Sequence, residues 1–189
     1  VHPAQVRTMK NIATSAYQIS ARGIFLLFFQ ASALASGAAD APLAGTQLSG
    51  SGTLRFLGLE VYQAQLWVRP DFAQANWAQQ PLALELRYAR GFSADAIAQR
   101  SIAEMQRQQN VSAAQAKGWQ AQLAALLPDV AAGDRLAGLY QPGQGVRFLF
   151  NGQAHGQIDD PLFARLFFGI WLSPQSSEPT LRAALLAAP

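Results

Sequence analysis

Periodicity changes along this chain in blocks, and the order of the blocks is the strongest constraint on its fold. Over Leu82–Tyr88 the apolar residues Leu82, Leu84, Leu86 and Tyr88 face one way, with Glu85 and Arg87 facing the other. That alternation is a half-buried strand. Upstream, residues 53–68 read as a strand pair or one long bent strand, with Gly58 at the bend or bulge. Tyr62, Ala64, Leu66 and Val68 fall on one face there, and Val61, Gln63, Gln65 and Trp67 on the other. Neither face is purely polar, so this segment is expected to be covered on both sides for part of its length. Residues 36–45 read as a flexible lead-in, Gly50, Ser51 and Gly52 as a small-residue segment that precedes a strand and not a phosphate-binding helix, and residues 71–80 as a loop closed by Pro81.

The period then switches. Ser93 is placed to cap a helix, with Phe92 and Ile97 as its hydrophobic staple and Ala98, Ile102 and Met105 as its buried stripe. Ser112 and Gln115 form a capping box for a second helix, which presents Trp119, Leu123, Leu126 and Leu127 and stops at Pro128. Gln106, Gln108, Gln109, Gln115, Gln120 and Gln122 fall mostly on the outward side. Strands return at 134–141 and 146–150 around Pro142, Gly143, Gln144 and Gly145, and Asn151-Gly152 marks a further hairpin. Asp160 and Pro161 read as N-cap and first residue of a helix carrying Leu162, Phe163, Leu166, Phe167, Ile170 and Trp171 in one broad stripe. A short last helix starts near Glu178-Pro179 and carries Leu181, Leu185 and Leu186. Strands, two helices, strands, two helices give an α+β fold, an antiparallel sheet with a layer of helices packed on one face.

Charge divides the chain. Its net charge is +3, from 14 basic and 11 acidic residues. The first 35 residues hold Arg7, Lys10 and Arg22 and no acid, so the basic excess is entirely N-terminal. An apolar run from Gly23 follows, ending in the small-x-small pair Ala33 and Ala35. This is the pattern of a cleaved export signal, and the run is shorter than the roughly 20 residues that span a bilayer. Met9 is a plausible start of that signal. The reading is therefore a signal peptide at 1–35, one domain at 36–189, a periplasmic or secreted location, and no stable membrane span after cleavage.

The remaining domain is neutral, and its scattered arginines make no basic groove for nucleic acid. Cysteine is absent, which removes thiol catalysis and thiolate metal sites, and His155 is the one histidine beyond the signal. His155 reads as a surface residue. Phosphate-binding and nucleophile-elbow motifs are missing. Asp159 and Asp160 read as a helix cap rather than a cation site, so no metal and no cofactor are expected.

Six blocks carry a resemblance. They are residues 52–67 (GTLRFLGLEVYQAQLW), 83–88 (ALELRY), 101–105 (SIAEM), 133–136 (GDRL), 148–152 (FLFNG) and 167–174 (FFGIWLSP). In this order the chain resembles the bacterial chalcone isomerase-like proteins over residues 44–187. The resemblance implies an open-faced sandwich with a ligand cleft between sheet and helices. It also implies one of three roles, since relatives include chalcone-cyclising enzymes, fatty-acid binders and proteins with no known catalysis. The enzymes use an arginine near the first strands with threonine, tyrosine and asparagine side chains. Arg55 stands in the similar place, with a shorter interval to Tyr62 than in enzymes or fatty-acid binders. The two threonines and the asparagine fall at Leu57, Ile170 and Glu104.

Those losses argue against flavanone formation, and no catalytic residue is assigned. A guanidinium serves a phenolate or a fatty-acid carboxylate equally, so Arg55 alone does not separate enzyme from binder. The candidate ligand-binding residues are Arg55, Tyr62, Tyr88 and Glu104. Each has a plainer role open to it: an Arg55–Glu60 pair, tyrosines donating to nearby carbonyls, and a Glu104–Arg100 pair across one helical turn. Arg87 can face cleft or water, and the C-terminal aromatic stripe can be core or part pocket wall. The leading reading is an exported, non-catalytic binder of a small amphipathic molecule such as a fatty acid. The alternatives are an isomerase or lyase acting on a chalcone-like phenol, and a structural or interaction protein of the envelope.

Overall fold

Pairing in the sheet follows chain order. Strands β1 (Gln47–Phe56), β2 (Leu59–Val68), β3 (Leu82–Tyr88), β4 (Arg135–Gln141), β5 (Gly145–Phe150) and β6 (Gln153–Ile158) lie side by side in that sequence, each pair antiparallel. Helices α1 (Ala94–Gln108) and α2 (Ala113–Leu126) are inserted between β3 and β4, and α3 (Pro161–Leu172) and α4 (Pro179–Leu185) follow β6. This is the α+β architecture expected from the order of periodicities. The computed structural model describes residues 41–187, so the export signal read at 1–35 and the domain boundary at 36 lie outside the described residues. No helix among the described residues is long and apolar enough to cross a membrane.

Register brings the alternating residues of neighbouring strands into continuous rows. Ala64, Leu86, Leu136 and Phe150 form one row, and Leu66, Leu84, Gly138 and Phe148 the next. Onto this face α3 packs Phe163, Leu166, Phe167 and Phe168, all buried, with Phe168 stacked at a tilt on Tyr140 at 5.1 Å. Gly138 permits that approach, since a Cβ there would sit 3.0 Å from the Phe168 ring. Helix α3 is buried well beyond its expected stripe, at Ala164, Phe168 and Leu172 as well, because α1 and α4 flank it while the sheet lies beneath.

The opposite face is polar at one end. Gln63, Gln65, Glu85, Arg87 and Arg135 line a shallow depression there, which places Arg87 on the side away from the helices. Coverage of β2 on both faces holds at Trp67, which is buried, and not at Gln63, which is exposed.

Several local readings are corrected. Of the two readings of residues 53–68 the strand pair holds, and Gly58 sits in its turn rather than at a bend or bulge: Leu57 and Gly58, with φ of 50° and 78°, make the two-residue turn of a hairpin. Both central residues of such a turn need positive φ, which is why Asn-Gly is its favoured sequence. The hairpin between β5 and β6 follows that rule with Asn151 and Gly152 at φ of 50° and 81°. At Leu57 a bulky side chain takes the same conformation at a cost of roughly 1–2 kcal/mol. Gly50, Ser51 and Gly52 do not precede the strand but lie inside β1. The glycines face α4, and a Cβ on Gly50 would collide with the carbonyl oxygens of Ala184 and Leu185.

Residues 71–80 are not a plain loop, since they contain a 3-10 helix at Gln74–Gln79. The Gln80 amide donates to the carbonyls of Ala73 (2.8 Å) and Asn76 (3.0 Å) and closes that segment. Trp77 is thereby held in the core beside Tyr140, whose hydroxyl donates to the Ala78 carbonyl at 2.7 Å.

The helix N-caps form at the residues expected, with the serine half of the Ser112–Gln115 capping box in place. Ser93 and Ser112 accept hydrogen bonds from the amides of Ala96 and Gln115. Asp160 accepts from the amides of Leu162 (2.9 Å) and Phe163 (3.0 Å) and from the Trp119 indole (2.9 Å), tying α2 to the start of α3. Gln108 departs from its outward glutamine neighbours: it is half-buried and donates to the Leu166 carbonyl at 2.8 Å. His155 is exposed on β6.

Candidate functional site

Helices α3 and α4 cover the sheet at β5 and β1, whereas α1 packs chiefly on α2 and α3. Over the ends of β2 and β3 this leaves a gap. The result is a cleft of about 610 Å³ between the β1–β2 hairpin, the end of β3, α1 and the later half of α3. A volume of that size lies within the roughly 300–1,000 Å³ of small-molecule sites.

Its walls follow from the same periodicities that make the core. Leu54 and Tyr62 are cross-strand partners on the inner face of β1 and β2, and Tyr62 pairs with Tyr88 on β3. Leu86, Phe92, Ile97, Leu136, Phe167 and Ile170 complete an apolar lining. Part of the C-terminal aromatic stripe is therefore pocket wall and part is core.

The four residues singled out from the sequence all border this one cleft. Tyr62 and Tyr88 meet edge to face at 5.9 Å. The Tyr62 hydroxyl accepts a hydrogen bond from the Trp171 indole at 3.0 Å, which leaves its own proton free to donate. Burial pushes the Tyr62 phenol up to about 12, outweighing the lowering effect of the Trp171 hydrogen bond. Burial also raises Tyr88, with the neighbouring Tyr62 adding to it. Both hydroxyls are therefore protonated at neutral pH and present as donors, not as bases.

Glu104 is buried on α1 and held by two guanidinium groups, Arg100 at 2.7 Å and Arg107 at 3.6 Å. The Glu104–Arg100 pair across one helical turn is formed, and it holds Arg100 at the cleft rim. Arg55 is paired across the hairpin with Glu60 at 3.3 Å, both side chains well exposed.

Sequence reasoning passed over Arg90. It lies two residues beyond β3, exposed, on the cleft wall, and has no ion-pair partner among the described residues. Of the three arginines that border the cleft, Arg55 and Arg100 are neutralised by neighbouring glutamates and Arg90 is not. Nothing in the local sequence marks it, since the distinction depends on where acids from other elements fall. Among the described residues no group of His, Asp or Glu is arranged to hold a metal ion.

Chemically, the cleft offers apolar walls, two phenol donors beneath and cations at the mouth. Such a site suits a molecule with an apolar body and an acidic or hydrogen-bond-accepting end.

Comparison with known proteins agrees with this architecture. No curated protein matches the chain by sequence. Among solved structures, a fatty-acid binding protein of Arabidopsis thaliana superposes with a TM-score of 0.60 at 11% identity, covering 76% of this chain and 87% of that one. At that identity the likeness speaks for the fold alone. The model of the chalcone isomerase-like family matches residues 38–187. Because that match takes in the whole sheet and every helix described above, the chain belongs to the chalcone isomerase-like family.

Proposed function

We propose that the protein is a non-catalytic binder of a small amphipathic molecule, a fatty acid or a closely related lipid, held between sheet and helices. The observation that carries the reading is the cleft itself: about 610 Å³, apolar within, and bordered by Arg90, which has no ion-pair partner among the described residues. The acyl chain lies along Leu86, Phe92, Phe167 and Ile170, and the carboxylate meets the Arg90 guanidinium in a charge-assisted pair.

Two further points support it. The structural neighbour is a fatty-acid binding protein. Leu57, Glu104 and Ile170, which stand where the resembled enzymes carry hydroxyl and amide groups, all border this cleft. Two of them supply hydrocarbon and the third is occupied by its arginines, so the set that would orient a chalcone and its water is missing.

The test is organic extraction of the protein purified from its native compartment, with mass spectrometry of the extract, followed by titration of the delipidated protein with a fluorescent fatty acid. A stoichiometric lipid and saturable binding are expected. Arg90→Ala should weaken binding by roughly tenfold or more, the worth of a hydrogen bond to a charged group. No lipid in the extract and no uptake of added fatty acid would overturn the reading, and turnover of a chalcone would replace it with the enzymatic one.

Export belongs to the same proposal. The basic, then apolar, then small-residue order of the first 35 residues supports cleavage after Ala35 and delivery to the periplasm. Intact-mass measurement of the exported protein should find a chain beginning near Ser36. A chain that still begins before Gly23 would remove this part.

A further inference from the structure

The tip of the β1–β2 hairpin carries three large apolar side chains in water: Phe56 is 67% exposed, Leu57 86% and Leu59 54%. All three also border the cleft mouth. The molecule contains its own control for this turn. Asn151-Gly152 adopts the same pair of positive φ angles with the residue that suits them, whereas the β1–β2 turn places a leucine there. The backbone conformation gives no reason for that leucine, and its side chain packs on no core. Beyond bordering the cleft, the side chain is 86% exposed and so open to a contact outside the chain.

We propose that this hairpin tip docks the protein on a lipid bilayer, inserting Phe56, Leu57 and Leu59 among the acyl chains at the headgroup boundary. The three exposed apolar side chains of the tip and the Arg90 guanidinium share the border of one cleft, the combination of hydrocarbon and cation that an anionic bilayer surface receives. Arg90, which pairs with no acid among the described residues, is the cation free to meet a lipid phosphate, while Arg55 beside Phe56 and Arg100 on α1 are held by Glu60 and Glu104 on the same border. The docked tip sets the cleft mouth against the acyl layer, so a lipid can pass between bilayer and cleft without crossing water. That consequence rests on the lipid-binding reading above; the docking itself does not.

Co-sedimentation of delipidated protein with vesicles of phosphatidylcholine and phosphatidylglycerol tests the docking. The unmodified protein is expected to partition onto the vesicles. Leu57→Asn should reduce the partition coefficient roughly tenfold, the scale of returning one leucine to water, while the melting temperature is kept or raised because asparagine suits the turn. Phe56→Ser should give a loss of similar size and serves if the first variant misfolds. Vesicles that leave the unmodified protein in the supernatant, or partition unchanged in both variants, would overturn the proposal. So would sedimentation velocity showing a dimer that Leu57→Asn dissolves, because the tip would then serve a second copy. Fatty-acid uptake without vesicle binding sinks this inference alone; vesicle binding without uptake sinks the cleft reading alone.

Discussion

Asp160 holds three donors at once, the amides of Leu162 and Phe163 and the indole of Trp119, and its position is costly to change. Asp160→Ala removes a helix cap, typically about 1 kcal/mol, and leaves a buried indole N–H without its acceptor, about 1–3 kcal/mol more. Urea denaturation of the variant should show a loss of roughly 2–4 kcal/mol. The cap was legible because Asp-Pro at a helix start has a local cause. The bond to Trp119 was not, since it spans two elements far apart in sequence.

Tyr62 makes a pH prediction with a definite sign. Its phenol titrates near 10 in the unfolded chain and near 12 in the folded one. Between those values the native state keeps a proton that the unfolded state has lost, so stability is complete below pH 10 and falls as pH rises toward 12. The loss is roughly 2–3 kcal/mol for Tyr62, and Tyr88, raised in the same direction, adds to it. Denaturation midpoints at pH 9 and above should fall less steeply for Tyr62→Phe than for the unmodified protein.

At the scale of elements, α4 packs backbone against backbone on β1 at Gly50. Gly50 and Gly52 are expected before the strand, and glycine in a strand interior marks a close backbone approach. They belong to the strand because a helix crosses them. Gly50→Ala forces backbone against backbone, and overpacking of this kind costs roughly 1–3 kcal/mol. Thermal melts should show a lower midpoint, whereas alanine at Gly118, where a Cβ meets nothing within 4 Å, should be neutral or slightly stabilising.

The two hairpins make a second comparison at this scale. Replacing Leu57 by asparagine relieves the left-handed leucine and should raise stability by about 0.5–1 kcal/mol. Asn151→Leu should do the reverse, with the further loss of the Asn151 bonds to the Arg135 amide (2.9 Å) and to Asp134 (3.0 Å). Strand and helix order was readable because each element carries its own period and caps. The β1–β2 turn was legible only as one of two alternatives at Gly58, because a leucine in its first position gives no turn signal.

For the molecule as a whole, occupancy of the cleft adds to stability by mass action. A ligand at a hundred times its dissociation constant should add about 2.7 kcal/mol, visible as a concentration-dependent rise in melting temperature. No rise with any fatty acid would agree with an empty extract in counting against the binding reading. At this scale the sequence conveyed the layer order and the apolar character of the C-terminal helix. The cleft was expected only through the family resemblance and not from periodicity, because a cavity is where packing stops. Here it exists since α1 leans on α2 and α3 and leaves the ends of β2 and β3 uncovered.

Most of the sheet forms between neighbours in the chain, so its hairpins can assemble early and locally. The contact of α4 with β1 is different, because it joins the last helix to the first strand across the whole domain. Closing so long a loop is slow relative to hairpin formation. The cleft borders draw on both ends of the domain, the β1–β2 hairpin on one side and Ser177 and Glu178 on the other. A folding chain would therefore complete its sheet before it had a mouth to its cleft, and the cleft would be the last part of the domain to close.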